Sequence, residues 1–173
     1  INNKSTENLN PTAYYRLVRD GQAGGGDSYF IHTFTGPAVF TAQDEFQKIK
    51  FTDLDKNKAE YNQKPTDGWV AMVQHYFISA WLLNPSADDK GICRQYVCEF
   101  EVKKSDQPLI AADGVKHDAV YHAMAKIHLT NIAPNTQKSF TLPLYVGPEQ
   151  YNVLTKEPLN TMAPDLIVTK DYG

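Results

Sequence analysis

Alternation of apolar and polar positions dominates this chain, and it changes to a near-continuous apolar run at one place only. Tyr14–Val18 is a short strand-like stretch, and Ala38-Val-Phe40 and Tyr29–Phe34 are β-branched or aromatic runs. Gly36-Pro37 between the last two predicts a turn. Lys48-Ile-Lys-Phe51 alternates as an edge strand does, and Asp53 to Lys64 is charged and turn-rich, a solvated excursion. Ile92 to Val102 places Ile92, Tyr96, Cys98, Phe100 and Val102 on one face, with Arg94 as the exception. Val120 to Leu129 sets Tyr121, Ala123, Ala125, Ile127 and Leu129 against His122, Met124, Lys126 and His128. Phe140, Leu142, Leu144 and Val146 continue the pattern after an Asn-Thr-Gln-Lys turn. These are the marks of antiparallel, half-buried strands.

The exception is Gly68-Trp-Val-Ala-Met-Val-Gln-His-Tyr-Phe-Ile-Ser-Ala-Trp81. It falls short of the about 20 consecutive apolar residues that span a bilayer. Trp69, Met72, Val73, Tyr76, Phe77 and Ala80 fit helical spacing, while Trp69, Ala71, Val73 and then Phe77, Ser79, Trp81 fit strand alternation. Strand-rich surroundings favour strand, break at Gln74-His75, strand. Helical signals are few: Thr41 with Asp44 and Glu45 predicts one turn over Ala42–Phe46. Gly147-Pro148-Glu149 predicts a short helix to about Lys156, and Pro158 and Pro164 bound a second near Thr161-Met162.

A length of 173 residues suits a single domain, or part of a larger one, whose core needs no metal or disulfide. Seventeen Lys+Arg against twenty Asp+Glu, net charge -3, opposes a nucleic-acid surface. A charged fraction of 21% with 12% aromatics opposes disorder. The N-terminal residues show neither a signal peptide nor an initiator methionine, so the chain reads as a segment whose targeting or anchoring elements lie elsewhere.

Candidate chemistry is sparse. Cys93 and Cys98 are five apart, which in an extended strand puts them on opposite faces; they are expected not to pair and to act as small buried hydrophobes. The glycines of Asp20-Gly-Gln-Ala-Gly-Gly-Gly-Asp27 lack a following Lys-Ser or Lys-Thr, so the stretch reads as a flexible loop and not a phosphate cradle. His122 and His128 lie six residues apart on one strand face, roughly 20 Å, too far to share a metal. His117 and His122 lack the cysteine partners of a zinc site, and these three histidines are expected to be solvent-facing or hydrogen-bonded. His75, inside the aromatic run, reads as a buried hydrogen-bonded histidine before it reads as an acid/base. Asp88, Asp89, Glu99, Asp113, Asp118 and Glu149 show no spacing that selects a general acid/base pair. Lys48, Lys50, Lys103 and Lys104 read as solvated strand ends. No Gly-x-Ser-x-Gly elbow is present. No catalytic, cofactor-binding or metal-binding residue is therefore assigned.

The Gly68–Trp81 segment resembles the periplasmic domain of bacterial membrane protein insertases of the YidC/Oxa/Alb family. His32-Thr-Phe-Thr-Gly-Pro-Ala38, Leu144-Tyr-Val-Gly-Pro-Glu149 and Leu166-Ile-Val-Thr-Lys-Asp-Tyr-Gly173 agree in order and spacing. The resemblance covers essentially the whole chain. It implies a mainly β, antiparallel β-supersandwich of the galactose-mutarotase type. Residues 1–173 would be its C-terminal portion, with short helices at about 148–163 and strand edges left open for the rest of the domain. Gly36-Pro37 and Gly147-Pro148 carry over as turn and helix-start positions, and Trp69, Tyr76, Phe77 and Trp81 as core positions. The implied function is non-catalytic: a domain at the periplasmic face of the inner membrane, in a protein that assists insertion and folding of membrane proteins. The implied partners are the Sec translocon with its accessory subunits and, through the parent's membrane part, nascent inner-membrane proteins. The alternative is a carbohydrate-binding sandwich with a mutarotase-like cleft, for which His75 and Glu99 would have to come together beside an aromatic platform.

Overall fold

The computed structural model describes residues 1–173 except 22–33, 57–59, 84–90, 106, 111, 113, 118 and 173. The chain begins with β1 (Asn2–Asn3) and the long β2 (Thr12–Asp20). A hairpin of β3 (Thr35–Thr41) and β4 (Glu45–Lys48) precedes helix α1 (Phe51–Asp55) and β5 (Tyr61–Gln63). β6 (Trp69–Gln74) and β7 (Phe77–Leu82) form a second hairpin. The helical turn α2 (Ile92–Gln95) leads into β8 (Val97–Lys104), and β9 (Leu109–Ile110) pairs with β10 (Lys116–His117). After them come β11 (Val120–His128), β12 (Thr136–Gln137) and β13 (Leu144–Pro148). Helices α3 (Tyr151–Leu154) and α4 (Leu159–Met162) and a 3-10 helix, Pro164–Tyr172, follow.

Two antiparallel sheets carry the fold: β2-β11-β8-β5 and β13-β7-β6-β3-β4. Their facing sides enclose a first core that includes Val39, Val70 and Met72 from one sheet and Phe100, Ala123 and Ile127 from the other. A second core lies on the far side of the five-stranded sheet, where Trp69, Ala71, Ile78 and Leu82 meet Leu154, Ala163 and Leu166 of the C-terminal helices. The molecule is thus a mainly β sandwich with a helical third layer. This arrangement explains the apolar run: Trp69 to Val73 are all buried because β6 is covered on both faces.

The strand–break–strand reading of 69–81 holds. His75 takes a left-handed φ of 55° at the hairpin tip, and its ring stacks on Tyr76 at 5.8 Å. β2 and β11 also lie where alternation predicts them, whereas only the Val97–Val102 part of the predicted 92–102 strand is strand, in β8.

Other expectations are corrected. Ala42–Phe46 is a hairpin turn running into β4, not a helical turn: Thr41 Oγ1 accepts the Asp44 amide at 2.9 Å, so the capping chemistry closes a turn instead. Gly36-Pro37 lies inside β3, paired with Val73 and Met72. Pro37 is tolerated there because its nitrogen, like its carbonyl that accepts from Ile49, faces the side just past the last β4 pair, so the ladder to β6 loses no bond. Phe51 starts α1 and does not extend the edge strand. The Asn-Thr-Gln-Lys segment contains β12, which pairs with β1. Phe140 and Leu142 pack on the first core from outside any strand. Pro148 ends β13, and α3 begins only after Gln150. Residues 22–27 of the glycine-rich loop and residues 29–33 of the predicted strand lie outside the described residues.

Cys93 and Cys98 form a disulfide, contrary to expectation, with Cα atoms 5.2 Å apart. The opposite-face argument assumed one extended strand. Instead α2 coils the chain at Ile92–Gln95, with the Tyr96 amide donating to the Ile92 carbonyl, and folds Cys93 back over the start of β8.

Candidate docking surface

One side of the sandwich is open among the described residues. β2 ends the four-stranded sheet and β13 ends the five-stranded sheet among the described residues. Alternation along β7 sends Ile78, Ala80 and Leu82 into the second core and turns Phe77, Ser79 and Trp81 toward the other sheet. Trp81 is covered, edge to face with Tyr15 of β2 at 4.9 Å. Phe77 is not: it is 60% exposed. Leu144 and Val146 pair with Trp81 and Ser79 and so share their face, yet they are 45% and 65% exposed. The four-stranded sheet stops at β2 and leaves these inward-facing side chains overhanging. A cavity of about 200 Å³ sits at this margin, between Leu17 and Arg19 of β2 and Met72, Phe77 and Val146 opposite. Burial pushes the Arg19 guanidinium down and the neighbouring Asp20 holds it up. Apolar side chains beside open strand edges suit strand addition or surface packing by another polypeptide.

Two positions expected in the core are corrected here. Tyr76 and Phe77 are 58% and 60% exposed at the tip of the β6–β7 hairpin. Trp69 is buried as expected, and Trp81 packs partly buried against the first core.

The histidines and carboxylates disperse over both sheets. His75 sits at the β6–β7 tip and Glu99 on β8 of the other sheet, so the saccharide-type pairing of these two does not form. Glu99 meets His128 instead, Oε2 to Nε2 at 3.4 Å, while Thr12 Oγ1 lies 3.0 Å from His128 Nδ1. Lys126 donates to Glu99 at 2.7 Å and also pairs with Glu101, which binds Lys103 at 2.5 Å. The hydrogen bond from Lys126 holds the Glu99 carboxyl below its usual range, with His128 adding to the effect. Burial pushes Glu101 up, but Lys103 and Lys126 outweigh it and the net direction is down. A carboxylate so held is a weak proton acceptor; the cluster's chemistry is charge pairing on the outer sheet face.

His122, on the same face, is 8% exposed, which corrects the solvent-facing expectation; burial pushes its imidazole down, with Arg16 and Lys103 adding. His117 lies 3.2 Å from Asp20. Tyr121 donates to Asp55 at 2.7 Å, and burial followed by that bond pushes its phenol up to about 12. Lys104 and Lys103 end β8 as partly solvated cations. Lys48, by contrast, is partly withdrawn beside Phe34, at 5.0 Å from the ring centre. Asp88, Asp89, Asp113 and Asp118 fall outside the described residues.

No helix among the described residues is long and apolar enough to cross a membrane. The family described as the YidC periplasmic domain matches residues 1–173. A membrane protein insertase YidC from Laribacter hongkongensis is 44% identical over 100% of this chain and 28% of its own length. The protein of the same name from Thiobacillus denitrificans is 36% identical over 99% of the chain and 27% of its own. A third, from Nitrosomonas europaea, is 35% identical over 100% of the chain and 24% of its own. The chain thus spans under a third of these relatives, and it belongs to the YidC periplasmic domain family.

Proposed function

We propose that this chain is the C-terminal part of the large periplasmic domain of a membrane protein insertase, tethered at the inner membrane, and that it acts without catalysis as a docking module for Sec-associated partners. Family membership supports the setting. The observation that carries the docking role is the overhanging band of Phe77, Leu144 and Val146 between two open strand edges. Photo-crosslinking in membranes tests it, with the photoreactive residue at 77, 144 or 146 of the full-length protein and at Ser5 or Asn131 as controls. Adducts with Sec subunits from the band alone are expected. Equal adducts from the controls, or none from the band while the membrane part still crosslinks clients, would overturn the reading.

Carbohydrate binding is the second reading, with an exposed tyrosine as its candidate platform. Tyr14, 64% exposed, pairs with Lys126 next to the His128–Glu99 contact on the outer face of the four-stranded sheet. A Tyr14→Ala variant that abolishes retention on a glycan array would favour it; an array with no retained sugar removes it.

A further inference from the structure

The C-terminal helices join the five-stranded sheet through a buried acid. Leu154 and Leu166, 1% and 0% exposed, seat α3 and the 3-10 helix in the second core. Between β13 and α3 lies Glu149, 9% exposed, whose Oε1 has no hydrogen-bond partner among the described residues. Its amide donates to the Tyr76 carbonyl at 2.7 Å, which pins the backbone to the β6–β7 tip and leaves the carboxyl in the joint.

The charged and titratable groups around this joint come from three elements. Lys48 comes from β4, on the helix-covered face it shares with Ala38. Tyr145 comes from β13 and donates its hydroxyl to the Pro148 carbonyl at 2.8 Å. His75 and Tyr76 belong to the hairpin tip. Burial pushes the Glu149 carboxyl up to about 7, against the opposing pull of Lys48. Burial in turn pushes Lys48 down despite Glu149, so the two charges offset only part of each other's desolvation. A carboxyl in such a place is tolerated when protonated and costly when ionised.

We propose that Glu149 is a proton-operated latch: uncharged, it leaves residues 150–172 seated on the sheet, and charged, it draws water into the joint and loosens them. Glu149 is an acid raised from its ordinary 4.5. Seating is therefore full below that value, weakens as pH rises toward 7, and changes no further above it.

Hydrogen exchange on the full-length protein in lipid nanodiscs tests this, with rates corrected for the intrinsic pH dependence of exchange. Between pH 5.5 and 8.0, peptides within 150–172 should lose protection on the order of tenfold, while those of β11 hold. Glu149→Gln should abolish the change and keep the segment protected at the higher pH. Protection independent of pH in the unaltered protein, or an equal loss in Glu149→Gln, would overturn the latch. Should Glu149→Gln fold poorly, Lys48→Met serves instead: without the opposing cation the loss must grow, and an unchanged loss counts against the proposal.

Discussion

Gly68 shows how a single residue sets the spacing of a layer. It takes φ of +89° just before β6, and a Cβ there would lie 1.9 Å from the Phe40 carbonyl oxygen. Its own carbonyl accepts the Leu83 amide at 2.9 Å, so it cannot shift without releasing the end of β7. Gly68→Ala is expected to cost on the order of 3 kcal/mol or more, read as a lower urea midpoint; an unchanged midpoint would contradict the close approach. Lys126 poses an electrostatic version of the problem. It lies between Glu99 and Glu101, at side-chain exposures of 16%, 13% and 10%. Lys126→Met should destabilise by on the order of 2 kcal/mol near neutral pH. Both carboxyls are held below their usual range, so this contribution is present above about 4.5 and lost as pH falls through the lowered values. The deficit of Lys126→Met should therefore shrink in acid, and a deficit that stays constant to pH 3 would exclude this origin.

At the scale of elements, what the sequence reveals is decided by how local the cause is. β11 is legible because Tyr121, Ala123, Ala125 and Ile127 all reach one core, an alternation any half-buried strand imposes. The 69–81 hairpin is legible at its break because Gln74 and His75 interrupt both periods. α2 is not legible, since Ile92 and Cys93 are buried just as strand residues would be. The Tyr96 amide bond to the Ile92 carbonyl and the cross-link to Cys98 distinguish a coil from an extension, and neither is written in the local pattern. The candidate docking band is half legible: alternation gives Leu144 and Val146 as apolar strand positions. Their exposure depends on where β2 stops in the other sheet, which no local pattern records. Burial of Glu149 is hidden for the same reason, although Gly147-Pro148-Glu149 marks the end of an edge strand. The cross-link itself gives a prediction. Closing so short a loop contributes about 2 kcal/mol, and bridges of this kind persist in the bacterial periplasm. Replacing both Cys93 and Cys98 by alanine should lower stability by that amount, and the unaltered protein should lose the same amount on reduction. A double variant still sensitive to reductant would exclude the bridge as the cause.

For the whole molecule, two sets of acids pull stability in opposite directions with pH. Glu99 and Glu101 stabilise above about 4.5 and lose that contribution in acid, whereas Glu149 costs progressively more between 4.5 and about 7. Unfolding free energy should accordingly peak near pH 5 and decline toward neutrality. Glu149→Gln should flatten the neutral side and recover on the order of 2 kcal/mol at pH 7.5, measured by denaturant titration across pH. A maximum at pH 7 or above in the unaltered protein would contradict this balance.

The five-stranded sheet is the common wall of both cores, and each side of it carries one of the chain's two tryptophans. Trp69 lies under the helices beside Phe40, at 6.0 Å, and Trp81 lies between the sheets beside Tyr15. Intrinsic fluorescence can therefore be assigned layer by layer: Trp81→Phe leaves an emitter that senses only the helical cover, and Trp69→Phe one that senses only the sandwich interior. If the shared sheet couples the layers, both emitters shift to the red at one denaturant concentration. Release of the helices ahead of the sandwich would instead shift the Trp69 emission first and leave the Trp81 emission unchanged until the sheets part.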